Sequence, residues 1–461
     1  MEPPSPIGLA ALHARLAQPD SWLGGPAALG FAEHLAVVRR RLDVIESPDA
    51  LDTGPVVVAE AQPAPFLAAA LATIARGLPT ALARPHWSTA ECTQAAAQLR
   101  PGRWFGPEVP WSDVRPPSNY DPAAWRGAIL VPTGGSGGRV RWVIHDWSTL
   151  AAAARALETF FGDGPFTHVS TLPPWHVSGL MPAVRALETS GRLWLENWKT
   201  LEGGMPPAIA PKSVIISLVP TQLVRLLDQS ALVEWLRSTR AILLGGAAPP
   251  PGLLKRAYEH RLPIALAYGM TETAAVVAAQ TPAEFLAGEP PAVAPLAHAR
   301  LWIADEAGEP RLPNSPGRVW VEADSLFLGY YPTRREAGPF VTDDDGELDL
   351  HGRLRLLGRR DRLIITGGEK VDPRVVEEVL RATGLFEDVL VTGVPDDEWG
   401  QRVVALYTGA TRPVEELRAA LADRLPPAAI PKTWMHAARL PLDERGKLDR
   451  VVLAALLAAT S

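Results

Sequence analysis

Short runs of apolar residues recur along the chain, and most are cut off by glycine or proline. The runs Ala128-Ile-Leu-Val131, Ser213-Val-Ile-Ile-Ser-Leu-Val219, Ala241-Ile-Leu-Leu244 and Ile264-Ala-Leu-Ala267 show little polar alternation. Continuous apolar runs of this length suit strands covered on both faces, as in a parallel sheet. Helical patterning fills the intervals and predicts helices over 147–161, 221–237 and 249–260. Residues 55–86 read as a strand (Pro55-Val-Val-Val-Ala59), a proline-bearing loop, then an Ala/Leu-rich helix ending at Gly77. That order is one βα unit of a layered α/β fold.

After Pro290 the texture changes. Arg300-Leu-Trp-Ile-Ala304 and Arg318-Val-Trp-Val-Glu322, with turns between them, predict a β-rich subdomain. From Asp361 onward the predicted order is hairpin, helix (373–383), strand (389–394), strand (402–408) and helix (413–424), enough for an independent α+β domain. The expected organisation is a large domain over 1–360, in which layered sheets and helices are joined by the β-rich subdomain. A small, mobile α+β domain over 361–461 follows it.

Composition narrows the class. The chain has 461 residues, too many for one ordinary core, and 47% apolar against 21% charged residues marks a folded globular protein. A net charge of −6 supplies no basic field for nucleic acid. No apolar stretch is long enough to span a bilayer, and Glu2 with three prolines in the first six residues is unlike a secretion signal. The single cysteine, Cys92, excludes an internal disulfide and reads as a small buried hydrophobe. A reducing cytoplasm is the expected compartment.

Six segments carry candidate chemistry. Val131-Pro-Thr-Gly-Gly-Ser-Gly-Gly-Arg-Val-Arg141 follows a predicted strand and precedes a helix expected to begin near Ser148. Its glycines let backbone N–H groups approach an anion, and Thr133 and Ser136 add hydroxyl donors. It lacks the Gly-Lys-Ser/Thr ending of a Walker loop. Leu243-Leu-Gly-Gly-Ala-Ala-Pro249 and Tyr268-Gly-Met-Thr-Glu-Thr273 each end a predicted strand, so both turns are expected at one sheet edge. Read alone, the second also fits a helix N-cap, with threonine ahead of glutamate. Thr342-Asp-Asp-Asp-Gly346 and Gly358-Arg-Arg-Asp361 precede the last of these segments, Leu440-Pro-Leu-Asp-Glu-Arg-Gly-Lys-Leu-Asp-Arg450.

In this order and at these separations the segments resemble those of the adenylate-forming enzymes, the superfamily of acyl-CoA ligases, peptide-synthetase adenylation domains and luciferases. The resemblance spans roughly residues 125–450 and implies ATP, Mg²⁺ and CoA as cofactor and co-substrates. It implies phosphate contacts from Thr133, Gly135, Ser136, Gly138 and Arg141, although Gly134, Gly137 and Val140 depart from the family's Thr-Ser-Gly-Thr-Thr-Gly-x-Pro-Lys. It implies an adenine site at Gly245, Gly246, Tyr268 and Gly269, with Thr271 on the α-phosphate and Glu272 on the metal. Asp344 and Arg359 take the ribose, Asp343 standing where relatives carry glycine. Asp361 is the implied hinge, Gly367, Gly368 and Glu369 belong to the loop of the CoA step, and Lys447 supplies positive charge during adenylation.

Among these enzymes the chain is most similar to the o-succinylbenzoate–CoA ligases of menaquinone and phylloquinone synthesis. Pro173-Pro-Trp-His-Val-Ser-Gly-Leu180 resembles their Pro-x-x-His-x-Ser-Gly segment. That likeness puts His176, Ser178 and Gly179 at the acid, with His176 as a gate or acyl contact. A dianionic aromatic acid needs a cation for its non-reacting carboxylate, and Arg185, nine positions on, is the candidate. Trp175 and Trp194 are candidates to border the ring. The partners implied are an aromatic carboxylic acid, ATP and CoA, with no nucleic acid and no membrane span, in a monomer or homodimer. The alternatives are an aryl- or medium-chain acyl-CoA ligase of other specificity, an adenylating domain that loads a carrier protein, and a non-catalytic nucleotide-binding homologue.

Overall fold

The computed structural model describes residues 7–43, 54–87, 89–100, 103–106, 122–134, 140–162, 164–305, 307–360, 363–366, 369–396, 399–421, 424–443, 448–449, 452–453 and 455–456. The chain divides into two compact units. One comprises residues 1–302, 320–340 and 349–355, and the other 303–319, 341–348 and 356–461. Among the described residues no helix is long and apolar enough to cross a membrane.

The first unit is built on two sheets. The apolar runs become the strands Val214–Leu218, Ala241–Leu244 and Ile264–Met270, which lie side by side and parallel in an eight-stranded sheet. Thr167–Ser170 and Arg192–Leu195 extend it on one side, again in parallel. On the other side the chain turns back, and Ala275–Ala279 pairs antiparallel with Ile264–Met270. Helices cover the sheet, as parallel crossovers require. Trp147–Phe161 is one of them, and it starts where Asp146 and Thr149 close a reciprocal cap: Asp146 accepts from the Thr149 amide at 2.9 Å. The predicted helix over 221–237 is two helices, Pro220–Leu226 and Ser230–Arg237.

The second sheet of this unit has seven strands, among them Val56–Val58, Thr80–Leu82, Ile129–Gly134 and Val140–His145. Ile129–Gly134 and Val140–His145 form an antiparallel hairpin with Thr133 opposite Arg141. The glycine segment therefore joins strand to strand, and a strand stands between it and the helix that the sequence placed next. Helix Pro63–Ala75, almost wholly apolar, is buried in the largest core with Leu67, Leu71 and Ile74.

In the second unit a five-stranded sheet carries the fold. Glu369–Val371 pairs with Ile364–Thr366 as the expected hairpin, and Val389–Asp396 lies antiparallel to Gly400–Tyr407. Helix Pro373–Ala382, capped by the Asp372 carboxylate on the Arg374 amide at 2.9 Å, packs Val376 and Leu380 against Ile364, Val389 and Val403. Most of a four-stranded sheet, with strands over Gly317–Ala323, Phe340–Leu348 and Leu354–Arg359, also belongs to this unit. The α/β class with a β-rich subdomain follows.

Two histidines in the first unit are fully buried, His145 and His168, and burial holds both below the ordinary value of 6.5. They stay neutral in the folded chain, while their unfolded counterparts take up protons as the pH falls below that value. Each then removes about 1.4 kcal/mol of stability per pH unit until the folded group titrates too. Urea midpoints are expected to fall between about pH 7.5 and about pH 5.5, and the His168→Gln chain should lose less over the same interval. A pH-independent midpoint contradicts this.

Candidate active site

The strand Ile264–Met270 ends in a short turn, Thr271–Thr273, before the chain reverses. Backbone crowding sets the sequence of this turn. A Cβ on Gly269 would lie 1.5 Å from the Ala275 carbonyl oxygen, so only glycine fits. Ala274 and Ala275 take positive φ, at 51° and 75°, to complete the reversal. Thr273, fully buried, ties the turn together: its hydroxyl accepts from the Met270 amide at 2.9 Å and donates to the Ala275 carbonyl at 2.8 Å.

Three further bonds hold Thr271 and Glu272. The buried His145 ring donates from Nε2 to the Thr271 carbonyl at 2.7 Å, and its Nδ1 accepts from the Thr149 hydroxyl at 2.9 Å. This pairing assigns the neutral, Nε2-protonated tautomer. The Glu272 carbonyl accepts from the Phe327 amide at 2.9 Å. The Glu272 carboxylate accepts from the Tyr330 hydroxyl at 2.8 Å and is itself largely buried. Thr271 remains half-buried.

Neighbouring strands bring further site candidates to the same edge. Ile242 pairs with Ile264 and Leu244 with Leu266, so the turn at Gly245 and Gly246 opens beside Tyr268. Gly246 has a φ of +83°, and a Cβ on Gly245 would press on the Ala267 carbonyl at 3.1 Å. Tyr268 is buried and half of Thr133 is covered. The exposed Arg141 guanidinium lies 4.7 Å from the centre of the Tyr330 ring. A carboxylate, a threonine and two glycine-bearing turns gather at the strand C-termini, and a cation from the second sheet is linked to them through Tyr330, an arrangement that suits an anionic ligand with its counter-ion. Among the described residues no three His, Cys, Asp or Glu side chains form a metal cluster. Glu272 offers the hard oxygen that a Mg²⁺ ion arriving with phosphate groups needs.

The second unit holds the other pair. Arg359 lies 4.0 Å from Asp344 and 3.7 Å from Asp343, and Arg318 binds the other Asp343 oxygen at 3.1 Å. Asp344 is buried, its amide donating to the Thr342 hydroxyl at 3.1 Å. Beside them is a cavity of about 260 Å³ lined by Gly317, Asp345, Gly358, Arg359, Arg360 and Arg374.

A family model described as AMP-binding enzyme matches residues 52–331, and one described as AMP-binding enzyme C-terminal domain matches residues 375–447. The chain belongs to the AMP-binding enzymes. It is 32% identical over 348 residues to a 2-succinylbenzoate–CoA ligase of Geobacillus kaustophilus, a match that covers 72% of this chain and 70% of that protein. To the 2-succinylbenzoate–CoA ligase of Salmonella typhimurium it is 32% identical over 323 residues, covering 68% of this chain and 66% of the relative. Each match therefore spans about two thirds of the relative's length. Among solved structures, the Bacillus subtilis o-succinylbenzoate CoA synthetase in complex with its acyl-adenylate intermediate superposes with a TM-score of 0.74 at 22% identity. The superposition covers 96% of this chain and 97% of that one. ATP-bound MatB from Rhodopseudomonas palustris gives 0.76 at 22% identity over 96% and 98% of the two chains. These structures share the AMP-binding fold.

The acid-site candidates divide. His176 is buried at the N-cap of helix Val177–Glu188, its ring centre 6.3 Å from that of Trp175. Gly179 has a packing reason to be glycine, since a Cβ there would meet the Pro173 carbonyl oxygen at 2.1 Å. Ser178 is half-buried on the first turn of the same helix. Trp175 packs edge-on against Phe66, while Trp194 lies along Gly24 and donates to Glu196 at 3.0 Å.

Arg185, the candidate for the non-reacting carboxylate, lies in the interior. It stands nine positions after His176, about 13 Å along the helix axis and half a turn out of phase. It is 2% exposed, in the interior beside Glu158 of helix Trp147–Phe161 and His168. Burial lowers its pKa to about 10, and the Glu158 carboxylate opposes the shift. His168 stands 3.3 Å from Glu158, and the Thr189 hydroxyl donates to the other Glu158 oxygen at 3.2 Å. Its Nε and Nη1 atoms are buried with no hydrogen-bond partner among the described residues, and Glu158 acts on it through charge.

Gly135, Ser136, Gly138, Asp361, Gly367, Gly368 and Lys447 lie outside the described residues. Glu369 is exposed on the hairpin strand Glu369–Val371. Sequence reasoning missed His145 and Tyr330. The one signal for His145 was a histidine ending the apolar stretch Trp142-Val-Ile-His145, directly before the helix cap. Tyr330 gave none.

Removing Arg185 takes a nearby positive charge from the Glu158 carboxylate, whose Oε2 is buried without a hydrogen-bond partner among the described residues. Arg185→Met is expected to lower unfolding free energy by about 3–5 kcal/mol, and Glu158→Gln in the same chain to restore most of it. KM for the acid should stay unchanged in the double variant. A stable single variant with a raised KM would show that Arg185 serves the acid.

Proposed function

We propose that this chain is an ATP-dependent acid–CoA ligase that activates 2-succinylbenzoate as its acyl-adenylate and passes the acyl group to CoA. The observation that carries this reading is the turn at Thr271–Glu272, with its buried carboxylate, in a chain one third identical to 2-succinylbenzoate–CoA ligases. In the first step a carboxylate oxygen of the acid attacks the α-phosphorus of ATP and pyrophosphate leaves. In the second the CoA thiol sulfur attacks the acyl carbon, AMP leaves, and the thiol proton is released.

The attack brings two anions together, so catalysis is chiefly charge compensation and positioning. In this reading Tyr268, Gly245, Gly246 and Gly269 seat the adenine, and Asp344 and Arg359 the ribose. Thr133, Gly135, Ser136, Gly138 and Arg141 bind the β- and γ-phosphates, and Thr271 donates to the α-phosphate. Glu272 would hold Mg²⁺, which when bound neutralises phosphate charge. Lys447 supplies the cation at the transferring group. His176, Ser178 and Gly179 border the acid. Residues 1–360 would bind ATP and acid, and 361–461 would act as a lid. The lid turns at Asp361 to bring Gly367, Gly368 and Glu369 to the thiol step.

One observation favours a second reading. Arg185, the cation that the sequence offered to the non-reacting carboxylate, is 2% exposed and in the field of the Glu158 carboxylate, which suits an aromatic acid with one carboxylate. Purified chain with ATP, Mg²⁺ and CoA should release pyrophosphate and form a thioester with 2-succinylbenzoate at a kcat/KM at least about tenfold above that with benzoate. Equal or higher turnover of benzoate, or of a medium-chain fatty acid, selects the second reading. No pyrophosphate with any acid contradicts both.

A further inference from the structure

Tyr330 connects two parts of the site that the sequence keeps 131 residues apart, Arg141 and Glu272. Its hydroxyl donates to Glu272 Oε1 at 2.8 Å, and the Arg141 guanidinium covers its ring at 4.7 Å. Three features fix the phenol in place. Tyr330 pairs with Val143 on the strand that runs from the glycine segment to His145. Gly329, at φ +135°, allows the tight return to Thr333, whose carbonyl oxygen would stand 2.3 Å from any Cβ. The Phe327 ring packs 4.9 Å from the Tyr330 ring, while the Phe327 amide holds the Glu272 carbonyl. The segment 327–330 thus grips Glu272 at its backbone and at its side chain.

A tyrosine needed only for packing can satisfy its hydroxyl on any nearby carbonyl. This one is spent on the buried carboxylate at the turn, and its ring on the basic residue that follows the glycine segment. We propose that Tyr330 is a positioning residue: its hydroxyl sets the orientation in which Glu272 meets the metal–triphosphate, and its ring parks Arg141 beside the same phosphates. The proposal rests on the ligase reading above and adds to it a residue that ties the metal-binding carboxylate to the phosphate-binding cation.

The two halves separate experimentally. Tyr330→Phe keeps the ring and removes the hydroxyl, whereas Arg141→Ala removes the cation and keeps the hydroxyl. Binding of Mn²⁺ to the complex with α,β-methylene-ATP, followed by electron paramagnetic resonance, should weaken about tenfold in Tyr330→Phe. Metal-free binding of the same nucleotide should be unchanged within about twofold in that variant. Arg141→Ala should show the reverse: weaker metal-free nucleotide binding and Mn²⁺ affinity near wild type. A Tyr330→Phe chain with wild-type Mn²⁺ affinity overturns the proposal. So does equal loss of metal and nucleotide binding in Tyr330→Phe, the mark of a merely structural tyrosine. A wild-type chain that binds neither nucleotide nor Mn²⁺ overturns the ligase reading and this one with it. Wild-type binding with unaffected Tyr330→Phe overturns this one alone.

Discussion

A chain reversal at the C-terminal end of one buried strand governs the rest of the first unit's site. After Met270 the backbone must turn within three residues and run back antiparallel. The contact between Gly269 and the Ala275 carbonyl leaves no room for a side chain. Such a turn exposes peptide groups in an interior where each unpaired one is destabilising. Thr273, His145 and the Phe327 amide satisfy three of them. The same bonds that make the reversal stable fix the direction of Glu272, so fold and site share one set of contacts.

Charge in this unit is handled in two ways. At the strand ends, Glu272 and Arg141 meet through the polar and aromatic sides of Tyr330, a geometry that leaves each charge available to a ligand. Between helices Trp147–Phe161 and Val177–Glu188, the charges of Arg185 and Glu158 act on each other beside a neutral histidine. A buried pair of that kind contributes little net stability, yet loss of either member is severe.

Much of the architecture was legible because strands buried on both faces must be apolar throughout. The runs at 213–219, 241–244 and 264–267 are strands within one or a few residues of where the pattern put them. Helix Trp147–Phe161 was legible at both ends because Asp146 caps it and Gly162 stops it. Strand Val140–His145 was not, since its arginine, tryptophan and histidine break both periodicities and it follows a glycine-rich segment. The Thr271–Glu272 turn stood out by its residue types. His145 and Tyr330, which orient it, come from strands distant in sequence and carry no local pattern.

The central claim is that the Glu272 carboxylate, held at the end of its strand, serves the activation of a carboxylic acid by ATP. Acid-dependent exchange of labelled pyrophosphate into ATP, measured without CoA on wild-type and Glu272→Gln chains of matched thermal stability, tests it most directly. The account predicts exchange that depends on 2-succinylbenzoate in the wild type, and a fall of at least about a hundredfold in the variant. Undiminished exchange in Glu272→Gln would contradict it.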